Sequence, residues 1–134
     1  MIVGIGNDII EIERIEKAIS KEGFKAKVFT QREIENIVKR GNRAETYAGI
    51  FSAKEAISKA IGTGVREFAL TDLEILNDDL GKPYVIVSDK LNKIIQRKKE
   101  NYQIEIAISH SKKYATAMAI IIWLKLVREE KWIF

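Results

Sequence analysis

The chain has no cysteine, one proline and one histidine in 134 residues. Without cysteine there is no disulfide framework and no thiolate chemistry, so nothing points to an oxidising compartment and a cytoplasmic location is the expectation. With the softer ligands reduced to a single imidazole, a zinc site or a Ser-His triad is hard to assemble, and a hard cation such as Mg2+ held by carboxylates is the metal chemistry left open. Long apolar runs are missing too: residues 115–124 reach about half of the ~20 that a membrane-spanning helix needs. The opening MIVGIGND has neither a basic leader nor a small-residue cleavage site, so it reads as a strand and not as a secretory signal.

Hydrophobic residues make up 46% of the chain and charged ones 31%, the balance of a folded protein and too apolar for a disordered one. A chain of this length buries about two thirds of its unfolded surface in one core, so residues 1–134 are expected to form one domain. The net charge is +4, yet the stretch 14–43 alone carries nine Lys and Arg against four Glu. Such a patch attracts an acidic partner, whether nucleic acid, anionic protein or phosphorylated cofactor.

Residues 2–6 pattern as a buried strand, after which Asn7 or Asp8 could cap a helix whose stripe is Ile9, Ile12, Ile15 and Ile19. That stripe leaves Arg14, Lys17 and Lys21 facing solvent. Thr30 with Glu33 three residues on is a capping box, opening a short helix that ends near Gly41. Alanine, lysine, glutamate and isoleucine dominate 43–61 and Gly62 and Gly64 follow, which marks the strongest helix of the chain. Segments 70–76 and 83–87 flank a turn-rich stretch and read as a hairpin, with the lone proline at a strand start. A helix over 89–99 follows, then a half-buried strand over 103–109 with Ile104, Ile106 and Ile108 alternating, His110 just past its end, and a central strand over 115–123. Helices and strands mix within one α+β unit.

Several residues could carry chemistry. Asp8 lies among isoleucines, where it is either a helix cap or a carboxylate relieved by a cation. Gly4 and Gly6 resemble half of a dinucleotide fingerprint, and the third glycine is missing. Glu55 and Lys59, four apart on the strongest helix, point the same way; as a surface ion pair they would contribute only about 0.2–0.5 kcal/mol. Gly62 and Gly64 flank Thr63, and free backbone N–H groups there could approach a phosphate, although glycine also simply ends helices. His110 sits between Ser109 and Ser111 with Lys112 and Lys113 following, a plausible phosphate contact set for a residue that is more often structural.

Taken together, GIGNDIIEIERI (4–15), FSAKEAISKAIGTG (51–64), GKP (81–83) and ISHSKKYATA (108–117) resemble the 4'-phosphopantetheinyl transferases, of the holo-acyl-carrier-protein synthase type. The order and spacing of the blocks span essentially the whole chain. The resemblance implies a mainly antiparallel sheet packed against a long central helix, and transfer of the phosphopantetheine arm of coenzyme A to a serine of an acyl carrier protein. It implies that Asp8 and Glu55 hold Mg2+, that Glu55 takes the proton of the attacking serine, and that Lys59 serves the leaving phosphate. Gly62, Thr63, Gly64, Lys82, Pro83, Ser109 and His110 match positions lining the coenzyme site. Arg14, with Lys17 and Lys21, matches the surface that docks the acidic carrier. Relatives of this type form trimers with active sites between subunits, so a homotrimer is implied as well. One departure stands out: many relatives read AGRFAAKEA, and Ile50 stands here where that arginine would be, with Arg43 nearby.

A basic nucleic-acid-binding module would explain the charge, but it lacks strand aromatics or a recognised helix motif and leaves the 62–64 glycines unexplained. A docking domain without catalysis is opposed by the intact Asp8, Glu55 and Lys59. Neither nucleic acid nor a membrane is the expected partner.

Overall fold

A computed structural model of the chain describes residues 1–62, 67–98, 100–127 and 131–133. The first strand, β1 (Ile2–Glu11), leads through α1 (Ile12–Ile19), α2 (Phe24–Val28) and α3 (Gln31–Lys39) into the long helix α4 (Ala44–Ile61). A 3-10 turn (Leu70–Asp72) opens the hairpin of β2 (Leu73–Asn77) and β3 (Pro83–Val87), and α5 (Asp89–Gln96) follows. The chain then forms β4 (Tyr102–His110), β5 (Tyr114–Trp123) and a terminal hairpin of β6 (Lys125–Val127) and β7 (Lys131–Ile133). The main sheet is antiparallel with order β1-β5-β4, and α4 packs across all three strands. This is the α+β arrangement expected, with β5 central.

The start of the chain departs from expectation. Asp8 caps no helix: β1 runs on to Glu11, paired in register with β5 from Asp8↔Ala117 to Glu11↔Tyr114. Backbone groups committed to a ladder cannot open a helix, so α1 begins only at Ile12, with no side-chain cap from Glu11. The isoleucine stripe divides accordingly. Ile12 and Ile15 are buried and Ile19 packs against the core, whereas Ile9, a strand residue, lies 66% exposed on the other face of the sheet.

The capping box is present: Thr30 Oγ1 accepts from Glu33 N at 3.2 Å and Glu33 Oε1 accepts from Thr30 N at 2.8 Å. α4 ends where glycine permits a left-handed residue, at Gly62 with φ +88°. Residues 70–72 form the 3-10 turn before β2, and α5 starts on Ser88, whose Oγ accepts from Leu91 N at 3.1 Å. His110 is the last residue of β4, opposite Ala115, and not beyond it. β5 turns Ala115, Ala117, Ala119 and Ile121 inward. Its other face is also apolar but open, and with Val3, Ile5, Ile9 and Met118 it forms an uncovered hydrophobic sheet surface.

Candidate active site

The close approach of β1 and α4 builds the site. A Cβ on Gly4 would stand 2.0 Å from the carbonyl oxygen of Ala60, and one on Gly6 would stand 1.9 Å from that of Ala56. The glycine pair that resembled a nucleotide fingerprint is therefore a packing device. Two strand residues and four helix residues both advance about 6 Å, so Gly4, Gly6 and Asp8 step along one strand face while Ala60, Ala56 and Ser52 step back along the helix. Ser52 Oγ lies 3.1 Å from both the Asp8 carbonyl oxygen and Asp8 Oδ2, donating to either. Thr116 Oγ1 donates to the same carbonyl at 2.8 Å.

Glu55 and Lys59 follow Ser52 on the neighbouring helix face. Lys59 Nζ reaches across to Asp8 Oδ1 at 3.2 Å and to the Asn7 carbonyl oxygen at 2.9 Å. Partial burial pushes the Glu55 carboxyl above its ordinary range, the nearby Asp8 charge raises it further, and Lys59 opposes both. Two carboxylates close together, with a cation drawn onto one of them, concentrate negative charge at this point. Among the described residues no group of three or more His, Cys, Asp or Glu could hold a metal. The pair alone suits Mg2+, which binds through one or two carboxylates and takes its other ligands from water and substrate phosphates.

The remaining predicted residues fall in other places. Gly62 closes α4 beside Lys98, whose Nζ donates to the Ile61 carbonyl, while Thr63 and Gly64 lie outside the described residues. Pro83 and His110 line a cavity of about 220 Å3 shared with Arg40, Glu45 and Ile50. Lys82 pairs instead with Glu105 at 3.5 Å. Strand alternation puts Ser109 on the opposite sheet face from His110, so the two do not meet within the chain. Arg14, Lys17 and Lys21 are exposed on and just beyond α1, with Lys17 bonded to Glu13 at 3.3 Å. A larger cavity of about 430 Å3 between β3, α5 and β4 holds none of the predicted site residues.

One functional support escaped the sequence reading. Lys54, next to Glu55, is 0% exposed and its Nζ lies 2.6 Å from Oε1 of Glu33, which is also 0% exposed. It also donates to the Val28 carbonyl at 2.6 Å, and Glu33 Oε2 accepts from Ile75 N at 2.8 Å. Burial drives the Lys54 ammonium down and the Glu33 carboxyl up, and each partner opposes the shift of the other. This pair ties α4 to α3, β2 and the end of α2. The signal was available: Tyr47, Ile50, Lys54, Ile57 and Ile61 form one inward stripe, so a lysine stands at a core position.

Known proteins resemble the chain in sequence and in fold. The chain is 85% identical over 122 residues to a holo-[acyl-carrier-protein] synthase of Fusobacterium nucleatum, covering 91% of this chain and 100% of that protein. The crystal structure of the holo-[acyl-carrier-protein] synthase of Neisseria meningitidis superposes with a TM-score of 0.82 at 30% identity, covering 91% of this chain and 99% of that one. The Bacillus anthracis synthase, solved in complex with CoA (3',5'-ADP), gives a TM-score of 0.73 at 42% identity, covering 90% and 96%. The model of the 4'-phosphopantetheinyl transferase superfamily matches residues 4–119. Because that span takes in most of the chain, and the identity to the Fusobacterium nucleatum synthase runs over nearly its whole length, the chain belongs to the 4'-phosphopantetheinyl transferase superfamily.

Proposed function

We propose that this chain is a Mg2+-dependent holo-acyl-carrier-protein synthase, one catalytic domain that moves the 4'-phosphopantetheine of coenzyme A to a serine of an apo acyl carrier protein. The observation that carries the reading is the Asp8, Glu55 and Lys59 cluster between β1 and α4. Glu55 is a partly buried carboxylate whose carboxyl lies above its ordinary range, and it would accept the serine proton. The serine oxygen forms its bond to the phosphorus of the transferred arm as the bond to adenosine 3',5'-bisphosphate breaks. Lys59 would neutralise or protonate the departing phosphate oxygen. Asp8, oriented by Ser52, holds Lys59 in place and with Glu55 would bind the metal. Bound there, Mg2+ supplies positive charge to the pyrophosphate.

The exposed cations Arg14, Lys17 and Lys21 suit docking of an acidic carrier. A homotrimer is part of the proposal, supported by the uncovered apolar face of β1 and β5. A neighbour on that face would also bring Ser109, which points that way, to a site shared between subunits. No helix among the described residues is long and apolar enough to cross a membrane, and a cytoplasmic location is proposed with the activity. The test is release of adenosine 3',5'-bisphosphate from coenzyme A in the presence of apo carrier and Mg2+. Wild-type protein should release it and Glu55→Gln should not; full release by a folded Glu55→Gln variant would remove Glu55 as the base.

A further inference from the structure

Asp8 has two partners to serve, since it holds Lys59 and with Glu55 would bind the metal. Both of its carboxylate oxygens already have contacts inside the chain. Ser52 Oγ lies 3.1 Å from Oδ2, and Ser52 is fully buried, so that contact is built into the seam between β1 and α4. Lys59 Nζ stands 3.2 Å from Oδ1, with 55% of its side chain exposed against 15% for Asp8. Lys59 follows Glu55 by four residues on α4, the spacing of a helical ion pair. Among the described residues, however, its ammonium is within ion-pair distance of Asp8 alone. It turns to the strand, where it also donates to the Asn7 carbonyl at 2.9 Å. Mg2+ sits about 2.0–2.1 Å from its oxygen ligands. An ion taken by Asp8 Oδ1 would therefore stand no more than about 5.3 Å from Nζ as Lys59 now lies. A doubly charged ion and an ammonium repel at that range, and of the two groups on Asp8 the exposed lysine is the one free to move.

We propose that Lys59 is an internal competitor of the metal: its ammonium holds Asp8 Oδ1 against Mg2+ until a phosphate of the coenzyme draws it away, so metal and coenzyme load the site together. A lysine suits this use because its charge rides on a flexible four-carbon stem. A phosphate offers that ammonium charge-assisted hydrogen bonds, which replace the carboxylate and the peptide carbonyl it leaves. Ser52 keeps its contact with Oδ2 throughout, so Asp8 stays aimed while its other oxygen changes partner. The coupling is reciprocal: whatever tightening the phosphate gives the metal, the metal gives the phosphate. The inference rests on the Mg2+ and coenzyme A reading above, and its failure can be told apart from the failure of that reading.

The experiment titrates Mg2+ calorimetrically into wild type, Lys59→Met, Lys59→Arg and Lys17→Met, each alone and each saturated with adenosine 3',5'-bisphosphate. Lys17→Met controls for net charge, because Lys17 is an exposed cation of α1 paired with Glu13. Without the bisphosphate, the expected result is an Mg2+ affinity raised about three- to tenfold in Lys59→Met and unchanged in Lys59→Arg and Lys17→Met. The bisphosphate should tighten Mg2+ in wild type, and by a smaller factor in Lys59→Met, where no ammonium is left to draw away. A Lys59→Met affinity no higher than wild type, an equal gain in Lys59→Arg or Lys17→Met, or no tightening by the bisphosphate in wild type overturns the inference while leaving the transfer activity standing. A wild type that binds no Mg2+ even with the bisphosphate overturns the metal reading and this inference with it.

Discussion

Replacing Lys54 by methionine keeps most of the side chain's length and removes only its ammonium. Lys54 and Glu33 are both 0% exposed and 2.6 Å apart, so the variant leaves a carboxylate in the core without its cation and the Val28 carbonyl without its donor. Breaking a buried pair from one side costs about 3–5 kcal/mol. The backbone donors of Thr30 and Ile75, each 2.8 Å from Glu33, remain and favour the lower half of that range. A loss of about 3–4 kcal/mol is a large share of the ~5–15 kcal/mol of a typical domain. It should appear as a lowered denaturation midpoint at fixed protein concentration with an unchanged slope. The pH dependence carries its own sign. Burial already raises the Glu33 carboxyl above its ordinary 4.5, and Lys54 is the largest force opposing that rise. In the variant the folded state therefore holds the Glu33 proton more tightly than the unfolded state. The deficit should be smallest below the unfolded value, about pH 4, and should grow as pH rises through the raised folded value toward neutrality. Adding Glu33→Gln should recover part of the loss, because no buried charge is then left unpaired. A deficit under about 1 kcal/mol, or a double variant as unstable as the two single losses added, would refute the reasoning.

Gly6→Ala should destabilise by about 3 kcal/mol or more, since the new Cβ falls 1.9 Å from the Ala56 carbonyl oxygen; a neutral effect on thermal unfolding would mean that the helix can move away. In the metal-free protein Asp8→Asn should lower the titration midpoint of Glu55 seen by carboxyl NMR, because the Asp8 charge adds to burial in raising it. An unmoved midpoint would separate the two groups. Ile5→Asp, on the 63% exposed outer face of β1, should leave the fold intact and yield monomers in sedimentation, with transfer activity lost; an unchanged oligomer would place the subunit contact elsewhere.

The sequence was informative where the forces are local. The capping box of Thr30 and Glu33, the helix run into Gly62 and the alternation of Ile104, Ile106 and Ile108 each depend on neighbours in the chain, and each appears in the structure. The cap reading of Asp8 failed because Ile9 fits a helix stripe with Ile12, Ile15 and Ile19 as well as it fits a strand. What decides it is a partner strand more than a hundred residues away, from Tyr114 to Ala117. The Lys54 pair went unread because its counter-ion arrives from α3. The cavity that holds Arg40, Pro83 and His110 draws on α3, α4, the β2–β3 turn and β4. No spacing along the chain foretells that meeting. The family resemblance named Asp8, Glu55 and Lys59, and the structure adds the reason they meet: glycines 4 and 6 let the strand lie against the helix.

The most direct measurement is the intact mass of an apo acyl carrier protein after incubation with this protein, coenzyme A and Mg2+. A gain of one phosphopantetheine on the carrier with wild-type protein, and none with a folded Glu55→Gln variant, is the predicted result. A carrier that stays at its apo mass with wild-type protein under Mg2+ or any other divalent cation would contradict the account.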